Sequence, residues 1–486
     1  MKKTALILAA LLAVSSILTS CGDTHSDAEV TTGGNESTDP VTDEVDYLDT
    51  LPKENYNGYE FRIIAQSYDQ RPNLPLAEEE NGEVLNDAII RRNRLVEERL
   101  GIKIVNYPDD NRSKVTEKVK STVLADDDAY DLVINSVNIG INTLMSEGCL
   151  YDLSALKYLD FSKEWWCASV NEDFTVNGHL YFTTGPLSPF FYYMPAAVAY
   201  NKTLTDENGI TGLEDLVRSG KWTFDKLKEL TIGKSVDLNG DTKMTDEDKY
   251  AIAGSAGDCY MLAGFGEKMA ERENDRFVLN MGKDGFITKL EALAKYFSDE
   301  KTFFNSQNTA IFLNMFESDR AMFMPTSMNN LITGYDSVPS AREMKSDYGI
   351  LPLPKYDEAQ EKYYTIGQPA GPSGIAVPAS CRDTDRTSLV METMAYYSND
   401  LIREAAYDKI VKGKAARVEG TEDMLDIVYH NVFFDVNYVF NFGKTKDLVT
   451  TALENGGESF SSSYASALES ANKAIDDYME LINDLG

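Results

Sequence analysis

Between Gly58 and Asn135 the chain alternates two hydrophobic rhythms. Gly58–Gln66 (GYEFRIIAQ) is dense in aromatic and β-branched residues, the composition of a strand. Leu85–Leu100 (LNDAIIRRNRLVEERL) then sets Leu85, Ala88, Ile89, Val96 and Leu100 at helical spacing, and Gly101 stops the helix. Ile102–Val105 (IKIV) predicts a second short strand, Ser113–Leu124 a second helix and Tyr130–Asn135 (YDLVIN) a third strand. Short connections between these segments predict an α/β lobe built on a largely parallel sheet. Such sheets bind ligands at the carboxyl ends of their strands. Here those ends are Gln66-Ser67-Tyr68 and Asn135-Ser136-Val137-Asn138.

The middle of the chain reads differently. Gly185–Met194 (GPLSPFFYYM) crowds four aromatics beside two prolines and leads into Pro195–Tyr200, a strand of small apolar residues. Helical segments follow, with Trp222 expected in the core just before a Thr223 N-cap. Tyr348–Pro354 and Ser373–Val377 are again strand-like, and Glu469–Ile482 reads as an amphipathic helix. No internal repeat is present.

Ahead of these elements the pattern is neither. Met1-Lys2-Lys3, an apolar run to Leu18 and then Thr19-Ser20-Cys21-Gly22 make a secretory leader, residues 1–21. The run is shorter than the roughly twenty apolar residues of a spanning helix. Leu18-Thr19-Ser20-Cys21 resembles a bacterial lipobox, which implies cleavage before Cys21 and lipidation of its thiol; an ordinary leader with an incidental Cys is the alternative. Residues 22–55 are acidic and small, with Lys53 the one basic side chain, and are expected to form a disordered tether. The roughly 430 residues that follow exceed what one core usually serves, so two lobes are expected.

A net charge of −33 argues against nucleic-acid binding, which rests on neutralising phosphates with Lys and Arg. It suits solubility on an extracytoplasmic surface. Cys149, Cys167, Cys259 and Cys381 form no C-x-x-C pair, and with three histidines in the chain neither a zinc site nor thiol catalysis is expected. An even count permits disulfides, but isolated semi-buried thiols are the expectation.

One stretch carries its own local chemistry. Asp237–Asp248 (DLNGDTKMTDED) has the spacing of a calcium loop: side chains of Asp237, Asn239 and Asp241, the carbonyl of Lys243 and the carboxylate of Asp248. Thr242 stands where the tight turn favours Gly. The other reading is an acidic surface turn in which Thr245 caps a helix. Bound Ca²⁺ would be structural and away from any cleft.

The order of elements resembles bacterial extracellular solute-binding proteins of family 1, the maltose-binding-protein-like receptors of sugar ABC importers, in a lipoprotein branch found in Firmicutes. The residues that carry it are NGEVLNDAIIRRNRLVEERLGIKI (81–104), YDLVINSVNIGINTLMSEGCLYDLSAL (130–156), DFSKEWW (160–166), VAYNKTL (198–204), SGKWTFDKL (219–227), YGILPLPKYDEAQEKYY (348–364) and SGIAVPAS (373–380). What the resemblance implies is an α/β, two-lobe periplasmic-binding-protein fold of type II. Its strands cross a hinge near VAYNK, SGIAVPAS and Tyr429–Val436. Lobe one is then 56–197 plus 374–430, and lobe two 198–373 plus 431–486.

The resemblance also implies a set of ligand contacts. Lobe one would supply Gln66, Ser67, Tyr68, Asn135, Ser136 and Asn138, with Tyr192 and Tyr193 just before the first crossing. Lobe two would supply Asp258, Tyr260, Thr326, Ser327, Asn329, Tyr438 and Phe440. Trp166 is a candidate sugar platform, with a place beneath the cleft as its alternative. For each of these residues packing or loop solvation is the competing role. Where the family often stacks Trp against sugar, this chain has Asn135 and Ser327 or Met328, which points to a ligand read by Tyr and Phe.

The function implied is a non-catalytic, monomeric receptor that closes on a solute, expected to be an oligosaccharide, and delivers it to membrane permease subunits. A surface-anchored carbohydrate-active enzyme and a ligand-sensing lobe for a membrane kinase stay open as alternatives. No G-x-S-x-G, H-E-x-x-H or Walker A stretch supports the enzyme.

Overall fold

The computed structural model describes residues 46–67, 77–334, 338–415 and 418–485. The leader, Cys21 and Tyr68 lie outside them. The acidic segment expected to stay unpacked as far as Asn55 is anchored earlier. Tyr47–Thr50 is a short helix, Leu48 and Leu51 are buried, and the Tyr47 hydroxyl donates to Glu392 Oε1 at 2.8 Å. Side chains that gain by leaving water, set among the acids, account for the difference.

In chain order the strands are β1 (Tyr59–Gln66), β2 (Ile102–Asp109), β3 (Leu132–Asn135), β4 (Ala196–Asn201), β5 (Tyr250–Gly254), β6 (Ala270–Glu273), β7 (Arg276–Leu279), β8 (Phe303–Asn305), β9 (Ala321–Ser327), β10 (Tyr348–Leu351), β11 (Thr365–Ile366), β12 (Gly374–Ala376) and β13 (Val432–Phe433). Two sheets carry the two-lobe α/β architecture. The first has the order β12-β3-β1-β2, with β1 parallel to both neighbours and β12 antiparallel to β3. The second has the order β10-β4-β9-β5-β8, with β4 antiparallel to β9 and β10 and β5 parallel to its neighbours. A short parallel pair, β11 with β13, and a hairpin, β6 with β7, complete the pairing.

Every residue of β4 and β9 is buried, so helices must cover both faces of the second sheet. The first helix, Val84–Leu100, buries Leu85, Ile89, Val96 and Leu100 and ends on Gly101 at φ 61°, where a Cβ would meet Asn55 Oδ1 at 2.2 Å. The second, Arg112–Leu124, is capped by Asn111, whose Oδ1 accepts from the amides of Ser113 and Lys114 at 2.9 and 3.3 Å. Thr223 caps Phe224–Thr231, and Trp222 beside it is fully buried with its indole N–H on the Pro352 carbonyl at 2.8 Å. The C-terminal helix is longer than its amphipathic stripe, running Phe460–Leu485. Phe460 and Tyr464 extend the buried face through a serine-rich turn.

Strand β2 also outruns its pattern. The apolar run stops at Val105, yet pairing with β1 continues to Asp109 through Pro108. β2 is the edge strand, and an edge tolerates a proline that donates no ladder bond.

Candidate functional site

The carboxyl ends of β1 and β2 form one edge of the first sheet, and the antiparallel β12 begins at that edge, Gly374 opposite Asn135. In the second sheet β9 ends at Ser327, directly opposite Ala196 at the start of β4. Both chain segments entering these antiparallel strands therefore arrive where the parallel strands end. Between the two edges lies a cleft of about 740 Å³, within the usual range for small-molecule sites.

From the first lobe the cleft is lined by Gln66 at the end of β1 and by Asp110–Lys114 after β2. Extension of β2 to Asp109 delivers this second group, and the Asn111 cap fixes its backbone. Arg112 Nη1 donates to the Ala370 carbonyl at 3.1 Å, tying the first turn of the helix to the segment that enters β12. That segment contributes Gln368, Ala370 and Gly371 to the cleft. It is fixed again where the Val137 and Asn138 amides donate to the Pro369 carbonyl at 2.8 and 3.4 Å. Gly371 admits the Phe190 ring: a Cβ there would lie 2.0 Å from Phe190 Cζ.

The second lobe supplies Asp258 and Tyr260 beyond β5, Thr309 beyond β8, and Ser327, Asn329 and Asn330 at the end of β9. Burial pushes the Asp258 carboxyl up to about 6, against the pull of the Lys446 cation. Burial likewise raises the phenols of Tyr260 and Tyr438 well above their ordinary range, with Asp258 adding to both. The Tyr260 hydroxyl is bonded to the Ser327 side chain. Tyr438 is held behind this group by Asp435, whose Oδ1 accepts from the amides of Asn437 and Tyr438 at 2.8 and 3.0 Å. Lys446 Nζ lies 5.1 Å from the Tyr438 ring centroid. The cleft thus offers amides, carboxylates, hydroxyls and two cations around the rings of Phe190 and Tyr260. That lining sets hydrogen-bond donors and acceptors beside two apolar rings, the general form of a small-molecule site.

Residues 96–406 match the family described as bacterial extracellular solute-binding protein. The chain belongs to that family. No curated protein sequence matches it. Among solved structures it is similar to a cyclo/maltodextrin-binding protein complexed with maltotetraose, at 14% identity and a TM-score of 0.55 over 87% of this chain and 96% of that one. It is similar also to the galacto-N-biose/lacto-N-biose I-binding protein of the ABC transporter from Bifidobacterium longum, in complex with lacto-N-biose, at 13% identity and a TM-score of 0.56 over 87% and 99%. A third is the GacH receptor of Streptomyces glaucescens, at 12% identity and a TM-score of 0.52 over 88% and 98%. These likenesses show the fold. Membership implies an extracytoplasmic location, and among the described residues no helix is long and apolar enough to cross a membrane.

Of the residues expected at the site, the solute-binding protein brings Gln66, Asp258, Tyr260, Ser327 and Asn329 to its cleft. Ser67 and Thr326 are buried at the strand ends, Thr326 Oγ1 accepting from Asn330 at 3.0 Å. Asn138 stands beside Pro369 and Tyr438 behind Tyr260, both close to the cleft without lining it. Six expectations need correcting. Asn135 is fully buried, donating to the Arg112 carbonyl and Thr116 while accepting from the Ser136 amide. Ser136, also fully buried, accepts from the Gly140 amide at 3.2 Å. Tyr193 is fully buried, and Tyr192 lines a different cavity. Phe440 packs among Phe174, Phe277, Phe442 and Tyr478. Trp166 is in the core, its indole N–H donating to Glu392.

The loop Asp237–Asp248 forms a net of turns. Asp237 accepts from the amides of Gly240 and Thr242 at 2.7 and 2.8 Å, Asn239 from Asp241 at 2.8 Å, and Asp241 from Lys243 at 2.8 Å. Asp248 accepts from Leu238 and Thr245, and these amides hold its carboxyl below the usual range. Thr242 adopts φ 70°, the left-handed turn that its place in the loop demands. The donor set is all oxygen, as a hard cation needs. The loop enters β5 at its amino end, opposite the cleft. Elsewhere, ligand atoms of Asp128, Asp131 and Cys381 lie within 4.8 Å of one another, but Asp131 is already engaged by Arg62, Tyr59 and Arg386. The four cysteines of the described residues are free thiols.

Proposed function

We propose that this solute-binding protein captures an oligosaccharide between its lobes and delivers it to the permease of an ABC importer. The observation that carries the reading is the cleft itself, whose polar side chains come from both sheets and from the segment entering β12. A solute touching both lobes binds more tightly when they close, so it favours the closed population by its differential affinity. Amides and carboxylates pair with hydroxyls, and Phe190 and Tyr260 face the C–H side of a sugar ring. The solved relatives in complex with maltotetraose and lacto-N-biose support carbohydrate as the class, and the latter is named as part of an ABC transporter.

The receptor works without catalysis, as a monomer, tethered to the outer face of the membrane by lipid on Cys21. The loop Asp237–Asp248 holds a structural Ca²⁺ through Asp237, Asn239, Asp241, the Lys243 carbonyl and Asp248. The test of the main reading is a thermal-shift screen of oligosaccharides with product analysis of each stabilising sugar. One sugar should raise the melting temperature and be recovered intact. Hydrolysis of a sugar that gives no shift overturns the reading. Replacing Cys21 by Ala should move the protein from the membrane fraction to the medium.

A further inference from the structure

The turn Pro189–Tyr192 faces two cavities. Phe190 lines the cleft, whereas Phe191 and Tyr192 line a second hollow of about 620 Å³ that shares no lining residue with it. Tyr192 stacks on Tyr407 with centroids 5.9 Å apart and planes at 23°, and Tyr429 lies 4.6 Å from Tyr407 at 59°. The phenols of Tyr407 and Tyr429 have their protons committed within the protein, Tyr407 to Asp426 at 2.7 Å and Tyr429 to the Tyr192 carbonyl. What they offer the hollow is ring surface. Beside the rings stand polar groups fixed in one arrangement. Asn399 donates to Glu164 at 2.8 Å, and Arg403 donates to the Asn399 carbonyl at 3.2 Å while pairing with Asp408 at 3.3 Å.

We propose that this hollow is a second saccharide site, taking a neutral mono- or disaccharide. Glu164 and Asp400 repel an anion, and the Asn399 amide and Arg403 guanidinium are donors that a hydroxyl can satisfy and an organic cation cannot. An apolar ligand would strip water from Asn399, Asp400 and Arg403 without replacing it. A sugar satisfies both halves: its C–H face covers tyrosine rings, and its hydroxyls donate to carboxylates and accept from the amide and guanidinium. The site is placed to influence the cleft. Tyr192 precedes β4 and His430, another of its lining residues, precedes β13, so its walls are the segments that lead into those strands. Any effect of one site on the other must be reciprocal.

The experiment is saturation-transfer NMR on the full chain with glucose, galactose, maltose and lactose at millimolar concentration. It compares wild type, a cleft variant (Arg112→Ala with Asn330→Ala), and that variant carrying in addition Tyr407→Ala or Arg403→Ala. At least one sugar should give transfer in the cleft variant, falling fivefold or more with either added substitution. Arg403 is exposed, so its loss tests the site even where Tyr407→Ala disturbs packing. Absence of transfer in the cleft variant, or transfer indifferent to both added changes, overturns the second site. If instead the cleft variant retains all wild-type transfer and the added changes abolish it, the second site stands and accounts for all binding of these small sugars.

Discussion

Trp166 Nε1 donates to Glu392 Oε2 at 3.0 Å, and the same buried carboxylate accepts from Trp165 Nε1 at 3.1 Å and the Tyr47 hydroxyl at 2.8 Å. One acid thereby fastens the first packed segment of the chain, the DFSKEWW turn and the helix Thr384–Ile402. Burial raises its carboxyl while these donors oppose the rise. Replacing Glu392 by Ala orphans two buried indole donors, each costing about 1–3 kcal/mol, and releases the half-buried Tyr47 hydroxyl and Asp160 amide. The urea midpoint should fall sharply, and Glu392→Gln should recover part of the loss. Trp166→Phe should lower stability by about 1–2 kcal/mol and leave ligand affinity unchanged. A tenfold loss of affinity at constant stability would return Trp166 to the cleft.

Arg112 joins the cleft wall of the first lobe to the segment entering β12 through Ala370, and it lines the ligand space. Hydrogen bonds from a charged donor contribute about 1.5–3 kcal/mol. Arg112→Ala should therefore weaken ligand binding by about tenfold to a hundredfold in isothermal titration, at little cost to the unfolding midpoint. Unchanged affinity would remove Arg112 from the site.

Arg112 also marks where the sequence stopped being legible. Strands β1 to β3 and their helices announce themselves by periodicity, because each buries one face locally. The cleft residues after β2 do not, since NYPD reads as a loop until the edge position of β2 is known. Asn135 and Ser136 do stand at the end of a parallel strand, but a strand end can turn inward. Asn135 fills the space that Gly140 leaves, where a Cβ would sit 2.2 Å from its Nδ2. Trp166 was equally opaque: its acceptor lies 226 residues away in sequence. Pairings over that distance leave no local pattern.

Gly371 owes its identity to Phe190, whose ring occupies the space a Cβ needs. Gly371→Ala must displace that ring from the cleft wall. Affinity should drop at least tenfold, and adding Phe190→Leu to Gly371→Ala should restore folding stability but not affinity. Full affinity in the Gly371→Ala protein would show that Phe190 is no part of the ligand surface.

Asp258 gives the cleft a pH dependence with a definite sign. Its carboxyl, raised to about 6 by burial, holds a proton more tightly folded than unfolded. Its contribution to folding stability is therefore fully present below the ordinary carboxylate range and is lost as pH rises through about 6. Ligand binding runs the other way, because hydroxyl donors select the ionised form. Affinity should rise about tenfold between about pH 5 and pH 7.5 and then level, and Asp258→Asn should flatten the profile. Tighter binding at the acid end would mean that the neutral acid donates instead.

The loop Asp237–Asp248 separates turn from metal site by a single measurement. Its internal hydrogen bonds suffice to shape a surface turn, so shape alone does not require an ion. A cation bound only by the folded chain stabilises it by mass action, about 2.7 kcal/mol at a hundredfold excess over Kd. Melting in EGTA and in millimolar CaCl₂ should therefore differ by several degrees. Asp241→Ala should abolish the difference while barely moving the EGTA value, because Asp241 makes one local amide contact. Coincident melting curves for the unsubstituted protein would leave the loop a turn, its carboxylates held by backbone amides alone.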